Sequence, residues 1–399
     1  MEAILGHPRF RAATEHLRAQ HDRLVEEIVA LTEIPAPPFK EDARAGAVQR
    51  MMEATGLEEV RRDAVGNVTA LRRGTGNGSI VAVAAHLDTV FPEGTDVTVR
   101  REGTRLFAPG VGDDTRGLAV LLAFARALDA AEIGTLHDIL FVADVGEEGK
   151  GDLRGIRHLF AEGEYRDRIS AFFTLDSPEM EELVVRGVGS RRYRITFRGP
   201  GGHSFMAFGT VNPAHALADT VQGLSRIEVP AEPRTTYCAS VLGGGTSINA
   251  IPDEVWVEVD LRSEQADELA RLDAELHRLT ERAVASENAR GKTDAGKITA
   301  DARLIGDRPA GETAGDSAIV AASEAALRAH GFDVIRAASS TDANIPMSLG
   351  IPAVKIGTGG TGGRAHSLDE WIDVEPEESL RGLSATLAAI LGVTQIADE

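Results

Sequence analysis

The sequence predicts an α/β protein with a mostly parallel sheet, interrupted by a smaller α+β domain of ferredoxin-like layout. Three apolar runs, at 79–85, 138–143 and 171–175, read as buried strands, and a long apolar helix at 117–131 lies between the first two. Strands that alternate with helices are typical of a parallel sheet. From about Gly187 polar and apolar residues alternate instead, which is typical of a sheet with one face in water.

Helices flank these strands in the first part of the chain. Apolar spacing predicts one helix from about Pro8 to Leu31, which ends because Pro35 follows it closely, and another near 43–54. After the interruption, a helix at 316–330 and a strand at 351–356 continue the same α/β pattern. One α/β domain is therefore expected on both sides of an insertion.

The insertion has its own order of elements. Alternating strands are predicted at 191–198 and 255–262, and a last strand at 297–305. A helix begins after Asn212, with proline at its first position, and a long charged helix covers about 264–285. This order indicates a β-α-β-β-α-β unit.

The length of 399 residues suits two domains. We expect residues 1–186 and 307–399 to form the larger domain and residues 187–306 to form the inserted one.

Composition excludes several classes of protein. The 62 acidic and 42 basic residues give a net charge of −20, a poor basis for binding nucleic acid or an anionic membrane. Cys238 is the single cysteine, so an internal disulfide and a cysteine-rich zinc site are both excluded. The sequence has no apolar run of membrane-spanning length and no signal-peptide pattern at its start, so a cytoplasmic location is expected.

Acids and histidines follow each predicted buried strand, and two further segments carry the same residue types. Because sites in open α/β sheets form beyond the carboxyl ends of the strands, five segments are expected to meet in one cleft. They supply His86 and Asp88, Asp113, Glu147 and Glu148, Asp176, and His366.

This set of side chains predicts a metal centre. Uncompensated carboxylates at one point repel each other, so one or two cations are implied. Carboxylate and imidazole ligands suit zinc, cobalt or manganese. A carboxylate that binds no metal could act as a general base on water, so the chemistry indicated is hydrolytic and not redox.

Other interpretations are weaker. An acid at the end of one strand is most often a cap or a turn residue, but five such segments in one order are hard to explain in that way. The run Gly357–Gly362 fits a dinucleotide-binding string, yet it leads to Arg364 and His366 where an apolar helix should begin.

The motifs resemble those of the two-zinc exopeptidase family. This family includes peptidase T, glutamate carboxypeptidase, acetylornithine deacetylase and succinyl-diaminopimelate desuccinylase. The resemblance covers nearly the whole chain, including the inserted lid or dimerisation domain. It rests on His86-Leu-Asp88-Thr-Val, Gly-Asp113-Asp114, Glu147-Glu148-Gly149, Thr-Leu-Asp176 and Ala-His366-Ser.

The resemblance implies two divalent metal ions per chain, with zinc as the first choice and cobalt or manganese as alternatives. His86 and Asp176 would hold one ion, and Glu148 and His366 the other. Asp113 would bridge the two ions.

The resemblance also implies roles beside the metals. Asp88 would hydrogen-bond and orient His86, and Glu147 would be the catalytic base and later the acid. The peptide bond after Asp113 would be cis. The segment that follows has one residue more than the family pattern before Gly117, which leaves the choice of bridge between Asp113 and Asp114 open.

The inserted domain carries three substrate-binding candidates by resemblance: His203, Asn249 and Arg262. Arg262 has an alternative role as an ion-pair partner of Asp260, which lies on the same face of an alternating strand. His203 alone could be structural, although the glycines before it offer little to pack against. The family also implies a homodimer through this domain, with His203 reaching the partner's site.

The leading functional hypothesis is an exopeptidase that hydrolyses small peptides. Segments 339–344 and 367–371 look closest to the peptidase T-like aminopeptidase branch. The alternative on the same scaffold is a deacylase or desuccinylase of N-acyl amino acids. A hypothesis of another class is a non-catalytic metal-binding dimer, against which the retained base Glu147 argues.

Overall fold

The structure is a computed structural model that describes residues 1–76 and 78–397. The chain divides into two compact units, Met1–Gly187 with Glu312–Glu399, and Val188–Gly311. The second unit ends later than residue 306, where the sequence places its boundary, because its last strand continues to Arg308.

The elements of the described residues are numbered in chain order. The strands are β1 Glu58–Arg62, β2 Val68–Arg72, β3 Ile80–His86, β4 Arg100–Glu102, β5 Arg105–Phe107, β6 Asp138–Asp144, β7 Ile169–Leu175, β8 Glu182–Gly187, β9 Gly189–Arg198, β10 Gly202–His203, β11 Thr235–Gly244, β12 Ala250–Ile251, β13 Glu254–Ser263, β14 Thr299–Arg308, β15 Gly311–Glu312, β16 Ile335–Ser339, β17 Ala353–Ile356, β18 Thr361–Gly363 and β19 Trp371–Asp373. The helices are α1 Glu2–Gly6, α2 Pro8–Ala19, α3 His21–Thr32, α4 Asp42–Glu53, α5 Thr115–Ala130, α6 Arg154–Ala161, α7 Pro213–Leu224, α8 Ala266–Arg290, α9 Ala318–Ala329, α10 Asn344–Ser348 and α11 Pro376–Thr394.

A large, mostly parallel sheet forms the centre of the first unit. Its main strands run in the order β1-β2-β6-β3-β7-β17-β8, and β6, β3, β7 and β17 are mutually parallel. All residues of β3 are buried, and alternate residues belong to two different apolar clusters, such as Val81 to one and Ala82 to the other. Both faces of this strand are therefore covered, as continuous apolar runs predict. The predicted fold class is confirmed.

The predicted helix from Pro8 to Leu31 is two helices. Helix α2 ends at Ala19 and α3 begins at His21, because Gln20 between them has φ −104° and ψ 13° and leaves the helical conformation. Apolar spacing could not reveal the break, since both helices bury their apolar side in the same core. Among the described residues, no helix combines the length and apolarity that crossing a bilayer requires.

Sheet register brings the site-bearing segments to one edge. β3 ends at His86, which lies opposite Asp144, the last residue of the neighbouring β6. β7, on the other side of β3, ends at Leu175, directly before Asp176. The carboxyl ends of these three parallel strands therefore lie at the same edge of the sheet.

The second unit is a four-stranded antiparallel sheet in the order β11-β13-β9-β14, with α7 and α8 on one face. This order matches the ferredoxin-like layout. Val257 and Leu261 of β13 are buried in the core, whereas Glu258 between them pairs with Arg194 of β9 at 3.0 Å on the other face. β11 and β14 are the edges of this sheet.

Candidate metal centre

One carboxylate joins two histidines that are far apart in sequence. Asp113 lies just before α5, and its Oδ1 is 3.0 Å from Nε2 of His86. Its Oδ2 is 2.9 Å from Nε2 of His366, which in turn lies 2.8 Å from Oε1 of Glu148. The ends of β3 and β6 and the segment after β18 therefore converge on Asp113.

Among the residues that the structure describes, three groups of histidine and acid side chains place their ligand atoms within 4.8 Å of one another. Two of these groups share Asp113, and they divide the residues as the resemblance implies. The groups are His86, Asp113 and Asp176; Asp113, Glu148 and His366; and His86, Glu147 and Glu148.

These residues fit two divalent cations. Each group that shares Asp113 offers an imidazole and two carboxylates, a ligand set that suits zinc, cobalt or manganese. Burial and the charge of nearby Asp113 raise the pKa of Asp176, against the lowering effect of Lys355. Burial and the neighbouring charge thus disfavour the ionised carboxylate, and bound cations would offset both effects.

The histidines hold their protons tightly. Hydrogen bonds to Asp113 and Glu148 raise the pKa of His366 to about 11. Burial lowers the pKa of His86. Its hydrogen bond to Asp113 and the charges of the neighbouring acids raise that pKa by more, so it lies well above its usual value. Because cations compete with these protons for the same nitrogen atoms, metal binding releases protons and weakens at low pH.

Geometry distinguishes Asp113 from Asp114. Asp114 is the N-cap of α5, and its carboxylate accepts hydrogen bonds from the backbone N–H of Gly117 at 3.2 Å and of His86 at 3.1 Å. A Cβ at Gly117 would lie 2.3 Å from this carboxylate, so glycine is needed there. The Asp114 carboxylate is therefore occupied by hydrogen bonds to the backbone. Asp113 is the better candidate for the carboxylate that bridges two metal ions. The peptide bond between the two is cis.

Asp88 contacts His86 through a different group from the one expected. Nδ1 of His86 is 3.0 Å from the backbone carbonyl oxygen of Asp88, and the Asp88 carboxylate is 3.8 Å away. That carboxylate instead accepts the N–H groups of Glu147 and Glu148, each at 2.9 Å. We correct the expectation: the carbonyl orients the ring because the chain turns after β3, and the side chain fixes the two glutamates.

This arrangement defines the state of His86. Because Nδ1 donates to this carbonyl, a metal ion that replaces the proton on Nε2 would find the lone pair there, on the side where Asp113 lies. Glu147 is mostly buried and lies beside this ring, outside the two groups that share Asp113. Its position is compatible with the role of a base that binds no metal.

His203 lies in the second unit, on the short strand β10. It is exposed, and its Nδ1 accepts the backbone N–H of Phe205 at 3.2 Å and of Met206 at 3.4 Å. Because Nδ1 accepts, the neutral ring carries its proton on Nε2 and presents a hydrogen-bond donor there.

Asn249 and Arg262 also lie in the second unit. Oδ1 of Asn249 accepts the hydroxyl of Ser247 at 2.6 Å. Arg262 makes the alternative contact noted above, since its Nε donates to Oδ2 of Asp260 at 2.7 Å. A substrate-binding role for Arg262 would have to compete with this ion pair.

The structure adds two acids that the sequence analysis did not select. Glu370 is buried near Asp113, and burial together with the charge of Asp113 raises its pKa to about 7. Asp342 is buried beside Asp144 at the end of β6. Both acids lie in the segments 339–344 and 367–371, which resemble peptidase T-like aminopeptidases. This resemblance is the sequence signal that could have identified them.

Asp144 and Asp342 form a carboxyl pair. Burial, and then the charges of neighbouring acids, raise the pKa of Asp144 to about 7 and that of Asp342 well above its usual value. The four carboxylate oxygens of the pair are buried, and within the described part of the chain none of them has a hydrogen-bond partner among the other groups. The folded protein therefore binds at least one proton here at a pH where the unfolded chain has released it.

We expect Asp342→Asn to stabilise the metal-free protein increasingly as pH rises. An amide can donate to Asp144 without a bound proton, whereas in the wild type the raised pKa costs about 1.4 kcal/mol per pH unit for each proton retained. Urea unfolding from about pH 5 to about pH 7 should show the stability difference growing with pH. The exposed Asp167→Asn is the control, and a difference independent of pH would contradict this prediction.

Comparison with known proteins gives a family match. Residues 82–392 match peptidase family M20/M25/M40. Succinyl-diaminopimelate desuccinylase from Corynebacterium glutamicum is 26% identical over 244 residues, which are 58% of this chain and 64% of that protein. The chain therefore spans somewhat less than two thirds of that relative.

Solved structures are similar over most of both chains. Aminopeptidase PepT from Bacillus cereus has a TM-score of 0.75 at 21% identity, covering 94% of this chain and 99% of its own. A dinuclear metal-binding M20 peptidase from Bacillus subtilis has a TM-score of 0.68 at 19% identity, covering 94% and 99%. These similarities show the fold. Since the family match itself covers most of the sequence, the chain belongs to peptidase family M20/M25/M40, as its motifs predict.

Proposed function

We propose that this metal-dependent amide hydrolase is an exopeptidase that cleaves small peptides, as peptidase T-like aminopeptidases do. The observation that carries metal-dependent amide hydrolysis is the position of Asp113, 3.0 Å from His86 and 2.9 Å from His366. One carboxylate shared by two ligand groups is the arrangement that a two-metal hydrolase requires. Zinc is the metal we propose, with cobalt or manganese as substitutes.

The chain's own residues account for proton transfer. Two divalent cations bound here would polarise the amide carbonyl and favour ionisation of water. Glu147 takes a proton from the attacking water and delivers it to the departing amine. The Asp88 carboxylate holds the backbone of Glu147 and Glu148, which keeps the base aligned with its neighbour.

The alternative function is deacylation of N-acyl amino acids. The desuccinylase relative favours it, and the aminopeptidase structure favours the peptidase function. Both reactions cleave an amide, so the metal centre serves either.

A substrate panel separates these functions. Dipeptides and tripeptides with free N-termini are compared with N-acetyl and N-succinyl amino acids, in the presence of zinc, cobalt or manganese. We expect the highest kcat/KM for the peptides. A clear preference for N-acyl substrates would establish the deacylase alternative, and metal binding without turnover of either class would indicate a non-catalytic metal-binding protein.

We predict that each chain binds two metal ions. Elemental analysis after reconstitution with zinc should give two ions per wild-type chain and fewer for Asp113→Asn, because both ligand groups use this carboxylate. Zinc at about 100 times its Kd should stabilise the folded protein by about 2.7 kcal/mol per site. Trace metal after reconstitution with zinc, cobalt and manganese would refute the prediction.

We also propose a homodimer through the second unit, with His203 acting in the partner's site. Its support is the surface around His203, where Phe205 and Phe208 are each 81% exposed and Met206 is 80% exposed. Exposed apolar clusters often mark interfaces. β11 adds an edge strand open to pairing, with Leu242 exposed on it.

A further inference from the structure

Glu370 connects the two segments that carry candidate metal ligands. It lies four residues after His366 and directly before β19, and its side chain is almost completely buried. Its carboxylate accepts the backbone N–H groups of Gly110 at 2.8 Å, Gly112 at 2.8 Å and Asp113 at 2.9 Å. The Glu370 backbone carbonyl also accepts the N–H of Ala108 at 3.1 Å.

A carboxylate without a proton only accepts hydrogen bonds, so one such group can receive all three N–H donors at once. Oε1 accepts from Gly112 and Asp113, and Oε2 accepts from Gly110. A glutamine could keep the two bonds at one oxygen, but its NH₂ group would face the remaining N–H, donor against donor. The contact therefore requires a carboxylate and not merely a side chain of this size.

The loop that Glu370 holds has little freedom to move elsewhere. Gly110 has φ 78°, and a Cβ there would lie 2.6 Å from Cγ2 of Thr89. A Cβ at Gly112 would lie 2.9 Å from Cγ2 of Ile372. The loop is thus packed against two neighbours, and the glutamate satisfies the N–H groups along its inner side.

We propose that Glu370 is a positioning residue for the metal centre: it fixes the backbone of residues 110–113 so that the Asp113 carboxylate stands between His86 and His366. The same side chain that anchors this loop belongs to the segment of His366, so it fixes the two ligands relative to each other. The inference rests on the proposed role of Asp113 as the shared ligand. It adds a residue on which the affinity for both ions depends without contact to either.

The test compares Glu370→Gln with wild type in the full chain. Zinc affinity is measured by calorimetry, the ligand geometry by the absorption spectrum of the cobalt-loaded protein, and stability by melting of the metal-free protein. We expect zinc affinity to fall by about 10- to 100-fold and the cobalt spectrum to change. A purely structural role would lower the melting temperature and leave both metal readouts unchanged, which would overturn the proposal.

Glu375→Gln is the matched control, because Glu375 also accepts a backbone N–H, that of Glu378 at 2.8 Å, at the start of α11. It should bind zinc as wild type does. If Glu370→Gln does not fold, Glu370→Asp keeps the charge on a shorter side chain and is measured in the same way, and wild-type affinity and spectrum would overturn the proposal. Failure of the wild type to bind two zinc ions would instead refute the proposed function.

Discussion

Replacing Glu147 by glutamine is expected to lower kcat by about 10²- to 10⁴-fold while each chain keeps its metal ions. The amide has nearly the same size as the carboxylate but cannot take a proton from water. Elemental analysis and initial rates on the best substrate of the panel measure the two quantities on one preparation.

The structure gives two reasons why the metals should stay. Glu147 lies outside the two ligand groups that share Asp113. Its backbone N–H donates to the Asp88 carboxylate at 2.9 Å, a bond that the substitution leaves in place. The neighbouring Glu148 is therefore not displaced.

Glu162→Gln is the control, since Glu162 is an exposed glutamate at the end of α6. It should keep wild-type turnover. Near wild-type turnover in Glu147→Gln with unchanged metal content would reject the assignment of the base. Loss of metal from the same variant would make Glu147 a ligand, through the group it forms with His86 and Glu148, and would also reject it.

The sequence can group some of the candidate ligands because they follow parallel strands. His86 ends β3, and Asp176 directly follows the neighbouring β7. Neighbouring parallel strands have their carboxyl ends at the same edge of a sheet. A residue type at the end of each strand is therefore enough to predict that these two side chains lie close together.

Residues whose role depends on a particular contact were not predictable in this way. Glu370 matters because its carboxylate reaches the N–H of Asp113, 257 residues away in the chain. Asp88 lies beside His86 and Glu147, but only the turn after β3 shows that its carbonyl faces His86 and its carboxylate faces Glu147. A pattern of residue types does not specify which atom of a residue makes the contact.

Mixing inactive His203→Ala chains with inactive Glu147→Gln chains is expected to restore activity. If His203 acts in the partner's site, each mixed dimer has one centre with an intact Glu147 and an intact His203. Half of the dimers are mixed under free exchange, so activity should rise toward about a quarter of wild type. Loss of one oxyanion donor costs about 10²- to 10³-fold, so His203→Ala alone should be nearly inactive.

The physical basis is the state of the His203 ring. Its Nδ1 accepts from the N–H groups of Phe205 and Met206, so Nε2 carries the proton and can donate to charge that develops on the amide oxygen. A control mixture of Glu147→Gln chains with Asp113→Asn chains should stay inactive. Each substitution damages the metal centre of its own chain, so a mixed dimer has no intact centre. Mass spectrometry establishes that subunits have exchanged. Exchange without recovery would mean that His203 does not act across the dimer, whereas recovery in the control mixture would invalidate the assay.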